Sequence, residues 1–188
     1  MIVLLLYGLS ILFFILIALW VLVPALYGLP VVSTKPGRVR KALQLANLRR
    51  NEVLYDLGAG DGRVLFMAAR EFGARAVGIE VGPVQYLLLW LKIAASGLDD
   101  QIQVRWADFY KADLHEADVV FVYATSREVA KLAPHLEKQM KAGSRLVSIS
   151  ADFPDWEPLS FDNRDLVFVY EMPPKAGSIT SYMLRRIK

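Results

Sequence analysis

"VLYDLGAGDGRV", Val53 to Val64, places three glycines and two aspartates directly behind an apolar run. Val53–Leu57 reads as a strand that a sheet can cover on both faces, and "RVLFMAAREF" behind it has helical spacing. Gly58, Gly60 and Gly62 therefore stand where a strand ends and a helix begins. Glycines there permit a tight turn and close approach of the backbone to another group. The adjoining helix N-terminus offers free N–H groups and the positive end of its dipole to a polar or anionic ligand. An ordinary glycine-rich turn is the plain alternative, and the rest of the chain decides between the two.

Outward from this turn the chain alternates strand and helix signals. "RVRKALQLANL" before it reads as a helix. After it come "ARAVGIE" (strand), "PVQYLLLWLKIAAS" (helix), "QIQVRWA" and "ADVVFVYA" (strands), "REVAKLAPHLEKQMK" (helix) and "SRLVSIS" (strand). The end of the chain differs: "DLVFVYEM" and "ITSYMLRRI", separated by "PPKAG", read as an antiparallel hairpin. Five alternating strands plus this hairpin predict an α/β, three-layer sandwich around a mostly parallel seven-stranded sheet. Such sheets bind ligands at the carboxyl ends of their strands, near the topological switch. The greasy "YLLLWL" helix is read as core, buried against the sheet.

Charge is unevenly placed. Residues 1–34 carry no Lys, Arg, Asp or Glu, and "IVLLLYGLSILFFILIALWVLV" (Ile2–Val23) is almost unbroken apolar sequence. As a helix it would be about 33 Å long, enough for a hydrocarbon core of about 30 Å. The long apolar run, without a basic leader or a small-residue cleavage site, favours one uncleaved transmembrane helix over a signal peptide. Lys35, Arg38, Arg40, Lys41, Arg49 and Arg50 follow, with no acid before Glu52. The expected organisation is a transmembrane anchor at 1–28, a basic juxtamembrane segment and first helix at 29–50, and a catalytic domain at 51–188. Positive charge behind the anchor puts that domain on the cytoplasmic side, or on the matrix side of a mitochondrion. The same charges would attract an anionic bilayer. Setting these six aside leaves 16 of the 22 basic residues against 19 acidic ones, so no nucleic-acid partner is expected. With no cysteine and only His115 and His135, no metal site is expected either.

The glycines do not follow the dinucleotide pattern G-x-G-x-x-G, because its third glycine position falls on Arg63. The pattern is D-x-G-x-G-x-G, starting at Asp56. Two more acids end the next strands, Glu80 in "AVGIEV" and Asp108 in "WADFY", at spacings of 24 and 28 residues. A single acid after a strand is commonly a helix cap; three at successive strand ends form a pattern. In Asp56, Gly58, Gly60 and Gly62 the chain resembles the class I S-adenosylmethionine-dependent methyltransferases, a Rossmann-like family. The resemblance implies that this glycine turn wraps the methionine part of the cofactor. It further implies that Glu80 accepts the ribose hydroxyls, that Asp108 takes the adenine amino group, and that Phe109 lies against the ring. Tyr123, ending "VFVY", falls where that family faces its substrate.

A narrower resemblance covers most of the chain after the anchor. "DLGAGDGRV", with Asp61 and Arg63, and "DFPDW" (Asp152–Trp156) are similar to the membrane-anchored protein-lysine methyltransferases related to the enzyme acting on the ATP synthase c subunit. Their P-Y-V-P-T segment has a counterpart in "PVVST", which keeps Pro30 and Thr34 but has Val31 and Ser33 instead of tyrosine and proline. The resemblance implies methyl transfer to a lysine of a protein, with a membrane protein as partner. Tyr123, Asp152 and Trp156 are the candidate catalytic pocket, the plain alternative for "DFPDW" being a loop with a packing tryptophan. "YATS" at the fourth strand, where an Asn-Pro-Pro-Tyr motif is absent, argues against adenine, glutamine or DNA methylation. A small-molecule or lipid methyltransferase and a non-catalytic membrane scaffold are the other readings. The sequence leaves the acceptor, the number of methyl groups and the oligomeric state open.

Overall fold

In the seven-stranded sheet, β3 (Ile102–Trp106), β2 (Arg75–Glu80), β1 (Val53–Leu57), β4 (Val119–Tyr123) and β5 (Arg145–Ile149) lie side by side in that order, all parallel. β7 (Val167–Glu171) joins β5 antiparallel, and β6 (Ser160–Asp162) pairs antiparallel with β7 at the edge. The computed structural model describes residues 1–26, 34–123 and 125–186. The comparison at Pro30, Val31 and Ser33 thus lies outside the described residues. The chain runs outward from β1 to β2 and β3, then returns to β4 on β1's other side. That reversal opens the crevice outside the carboxyl ends of β1 and β4, where such sheets take their ligands.

Both faces of the sheet are covered, so the central strands are largely apolar, with Asp56, Glu80 and Ser148 as buried polar exceptions. Leu54, Phe121 and Val147 point to one face and pack with α2 (Pro36–Leu45), α3 (Arg63–Phe72) and α4 (Pro83–Ala94). Tyr55, Val120 and Leu146 point to the other, against α5 (Ser126–Gln139) and the segment around Phe109. α3 is bounded by glycines: Gly62 at its start and Gly73 at its end both have positive φ (77° and 66°). At that end the Gly73 and Ala74 amides take up the Ala69 and Ala68 carbonyls, which a left-handed residue makes possible.

Two expectations are corrected. The terminal hairpin exists, but its strands are β6 and β7; Ile179–Arg186 is a helix, α6. Helical spacing of Ile179, Tyr182 and Met183 outweighs their strand preference, and Ser178 and Ser181 cap the start reciprocally (Ser178 N to Ser181 Oγ 2.8 Å, Ser181 N to Ser178 Oγ 3.3 Å). β6 is only three residues long, and its turn is set by Asp162 Oδ1 accepting from the Arg164 and Asp165 amides at 3.0 Å. The second correction concerns α4. Gln85, Leu89 and Ile93 are buried, while Leu87, Leu88, Trp90 and Leu91 are exposed. The helix is apolar all round, but the sheet covers only one side of it.

The remaining helix, α1 (Ile2–Leu26), is long and apolar enough to cross a membrane, and its large apolar side chains are exposed. It touches the rest of the chain at α4, where Gln85 Nε2 donates to the Trp20 carbonyl at 2.7 Å.

A glycine inside β2 sets how closely the turn after β1 can approach. A Cβ on Gly78 would come within 2.7 Å of both Ala59 Cβ and Leu65 Cδ1. Gly78→Ala is expected to destabilise the fold by about 1–3 kcal/mol, the usual range for overpacking. Chemical denaturation of the two chains checks it, and equal midpoints would refute it.

Candidate functional site

Three positive-φ backbone positions, a conformation glycine adopts most readily, build the turn after β1. Gly58, Gly60 and Gly62 have φ of 96°, 53° and 77°. The Gly58 and Ala59 amides both donate to the Ile79 carbonyl (2.9 and 3.1 Å), which lays the turn across the end of β2. Gly62 has no room for a side chain in any case, because a Cβ there would lie 2.3 Å from Leu89 Cδ1.

Glu80 ends β2 beneath this turn and is buried. Its Oε2 accepts from the Gly60 amide and its Oε1 from the Gly82 amide, each at 2.8 Å. A carboxylate has about four lone-pair sites, so two acceptor positions are left for hydroxyl donors. Asp56, on β1 beside β2, is buried as well. Burial, then the negative charges of Glu80 and Asp61, push its carboxyl up to about 8. It is therefore a proton-carrying acid near neutrality, in surroundings where a cation would be welcome.

Asp61 is held the opposite way. The Arg63 guanidinium bonds to it (Nη2 to Oδ2 2.6 Å) and lowers its carboxyl below the usual range. Arg63 Nη1 also donates to the Thr34 carbonyl, so the chain entering α2 is tied to the glycine turn. Lys92 of α4 adds a bond to the Asp61 carbonyl at 2.7 Å.

At the end of β3, Asp108 is part-exposed, and its Oδ1 caps a short 3-10 turn by accepting from the Tyr110 amide at 3.0 Å. Phe109 is 1% exposed and belongs to the core, so its ring has almost no surface to give a ligand. The accessible aromatic surface near Glu80 belongs instead to Trp106, 64% exposed, which stacks on Tyr86 and donates to the Val81 carbonyl at 3.0 Å. Tyr110 Oη is buried with no hydrogen-bond partner among the described residues.

Tyr123 and Trp156 are not brought into one pocket. Tyr123 is half-buried at the end of β4, on the face covered by α2, with the Arg38 guanidinium 5.9 Å from its ring centre. Arg38 is itself fixed by the Asp165 carbonyl (2.6 Å) and Ser150 Oγ (2.8 Å). Trp156 lies on the other face, buried in a stack with Phe153 (ring centres 4.4 Å apart) and edge-on to Tyr170. Its indole N–H donates to Glu137 Oε1 at 3.1 Å. Asp152 is half-buried in the loop after β5. Three contributors escaped the reading from sequence. Gly78 had a visible signal, a glycine inside a strand. Arg38 and Trp106 had none, since their roles depend on contacts with residues far along the chain.

The acid at Asp56 gives stability a definite pH dependence. Its folded value is raised above the ordinary 3.8, so the folded chain holds this proton over a range where the unfolded chain has lost it. The contribution is complete below about 4 and is lost as pH rises through about 8. Asp56→Asn removes the titration while keeping the shape. The stability of the parent relative to Asp56→Asn is expected to fall from pH 6 to pH 8, read by urea denaturation. A constant difference across that range would refute the buried-acid account.

Comparison with known proteins agrees with this geometry. Residues 56–160 match the ANTKMT methyltransferase domain. A protein-lysine N-methyltransferase of Saccharolobus islandicus is 32% identical over 130 residues, covering 69% of this chain and 81% of the relative. The mouse adenine nucleotide translocase lysine N-methyltransferase is 27% identical over 162 residues, covering 85% of this chain and 70% of the relative. Among solved structures, an RNA methyltransferase of Salinibacter ruber in complex with S-adenosyl-L-homocysteine superposes with a TM-score of 0.73 at 36% identity. It covers 78% of this chain and 97% of its own. The glycine turn, the free acceptor positions on Glu80 and the buried acid suit a cofactor that carries hydroxyls and positive charge. The chain belongs to the ANTKMT methyltransferase family and is an S-adenosylmethionine-dependent methyltransferase.

Proposed function

We propose that this enzyme is a membrane-anchored protein-lysine N-methyltransferase acting on a lysine of a membrane protein close to the lipid surface. The observation that carries the reading is the 32% identity with a protein-lysine N-methyltransferase over 69% of this chain. α1 supports the anchor, with Ile2–Val23 as the span. The basic residues from Lys35 to Arg50 then favour a catalytic domain facing the cytoplasm or a mitochondrial matrix.

When bound, S-adenosylmethionine supplies an electrophilic methyl group on a sulfonium. The chain's own residues do the rest. Gly58, Gly60 and Gly62 leave backbone room for the methionine part, and Asp56 would release its proton to solvent to give countercharge when that cationic part binds. Glu80 accepts the ribose hydroxyls while keeping its two amides. Asp108 takes the adenine amino group, with Phe109 supporting the floor from within the core. Tyr123 and Asp152 face the acceptor from the ends of β4 and β5, and Trp156 holds the Asp152 loop from beneath. A lysine amine, with an ordinary pKa of about 10.4, must lose its proton before attack. A half-buried tyrosine and a carboxylate are groups that can orient it and receive that proton.

Two measurements test these assignments. Charged hydrogen bonds of this kind contribute about 1.5–3 kcal/mol. Glu80→Ala is therefore expected to weaken S-adenosylmethionine binding by about ten- to a hundredfold in a calorimetric titration. Unchanged affinity would overturn the role of Glu80. The acceptor is read by incubating membranes with enzyme and methyl-labelled cofactor, then separating protein, RNA and lipid. Label released from protein as N-methyllysine is expected, and Tyr123→Phe is expected to lower it while sparing cofactor binding. The Salinibacter ruber neighbour gives RNA a specific claim as second acceptor. Ribonuclease-sensitive label, or label extracted with lipid, would overturn the lysine reading.

A further inference from the structure

α4 departs from the rule that a helix apolar all round is buried all round. Leu89 and Ile93 face the sheet, while Leu87, Leu88, Trp90 and Leu91, on the opposite side, are each between 47% and 51% exposed. Lys92, the one charged side chain of the helix, turns away from that face to the Asp61 carbonyl. Exposed Trp106, stacked on Tyr86, adds indole surface beside the start of the helix. A contiguous apolar surface of this kind marks an interaction site.

The position of α1 says what covers it. Gln85, in the first turn of α4, donates to the carbonyl of Trp20. Trp20 lies three residues before Val23, the end of the apolar span. At 1.5 Å per residue, that contact is about 4.5 Å below the boundary of the hydrocarbon. Interfacial helices sit about 5–10 Å deep at the boundary of headgroups and acyl chains, with tryptophan and leucine inward. We propose that α4 is a second membrane element, lying in the interface of the bilayer that α1 crosses, with Leu87, Leu88, Trp90 and Leu91 in the acyl region. The proposal rests on the anchor reading. Because α4 starts at Pro83, three residues after Glu80, it holds the mouth of the cofactor site at headgroup level. An acceptor lysine would then have to lie at the membrane surface, not on a domain standing well away from it.

The absence of cysteine makes the test direct. Leu88→Cys and Leu91→Cys, with Leu12→Cys in α1 and Lys131→Cys on the exposed side of α5 as references, are each made in the full-length chain. Each carries a nitroxide, is reconstituted into vesicles of phosphatidylcholine and phosphatidylglycerol, and is checked for cofactor binding. Accessibility to oxygen, which concentrates in lipid, is compared with accessibility to a water-soluble nickel chelate. Oxygen is expected to dominate at positions 88 and 91, as at 12, and the chelate at 131. Chelate dominating at 88 and 91 while oxygen dominates at 12 would overturn the interfacial helix and leave the anchor standing. Chelate dominating at 12 as well would overturn the anchor. Protection from both agents at 88 and 91 would mean that protein covers the face, a second copy or a partner, and would also overturn the proposal.

Discussion

A buried carboxylate joins two turns that are distant in sequence. Glu80 takes the Gly60 amide on one oxygen and the Gly82 amide on the other, both at 2.8 Å. The first belongs to the turn after β1 and the second caps the start of α4. Neither turn could come so near with side chains in the way. A Cβ on Gly78 would strike the first turn, and one on Gly82 would lie 2.3 Å from Gln85 Oε1. A charged acceptor satisfied by fixed amides gives the two turns a common reference point. The spacing of the crevice follows from that point.

The same arrangement places a second carboxyl, Asp56, close enough to feel Glu80's charge. Two buried anions without compensation would be expensive. The fold divides the roles: Glu80 receives the amides, while Asp56 keeps a proton until about pH 8. Asp61, nearer the surface, has its charge matched by Arg63. Three acids within one crevice thus live in three different environments. Such a divided set spends stability to keep a polar site ready for a ligand, a familiar compromise in enzymes.

What the sequence disclosed depended on how local the cause was. Gly58, Gly60 and Gly62 are legible because positive φ strongly favours glycine, and the parallel strands are legible because their faces are both buried. Glu80 at a strand end could be placed for the same reason. β6 could not be seen, because three residues carry no periodicity. Ile179–Arg186 reads as a strand because its apolar residues fit either period, and the Ser178–Ser181 cap that decides for a helix is subtle. The exposed side of α4 was hidden more deeply. Twelve mostly apolar residues announce a buried helix, and nothing among them says that only Gln85, Leu89 and Ile93 find the sheet. Trp156 and Tyr123 are drawn together by chemistry, whereas the fold packs Tyr123 on the face covered by α2 and Trp156, in the loop after β5, on the opposite one.

The contact between Gln85 and Trp20 makes a short chain of bonds from α1, through the first turn of α4 and the Gly82 amide, to Glu80. Groups so connected obey a reciprocity that no detail of mechanism alters. If the surroundings of α1 change the affinity of the crevice for its cofactor by some factor, occupancy of the crevice changes the affinity of α1 for those surroundings by the same factor. On the proposed anchor reading, lipid and nucleoside would be two effectors of one equilibrium, and measuring either coupling would fix the other.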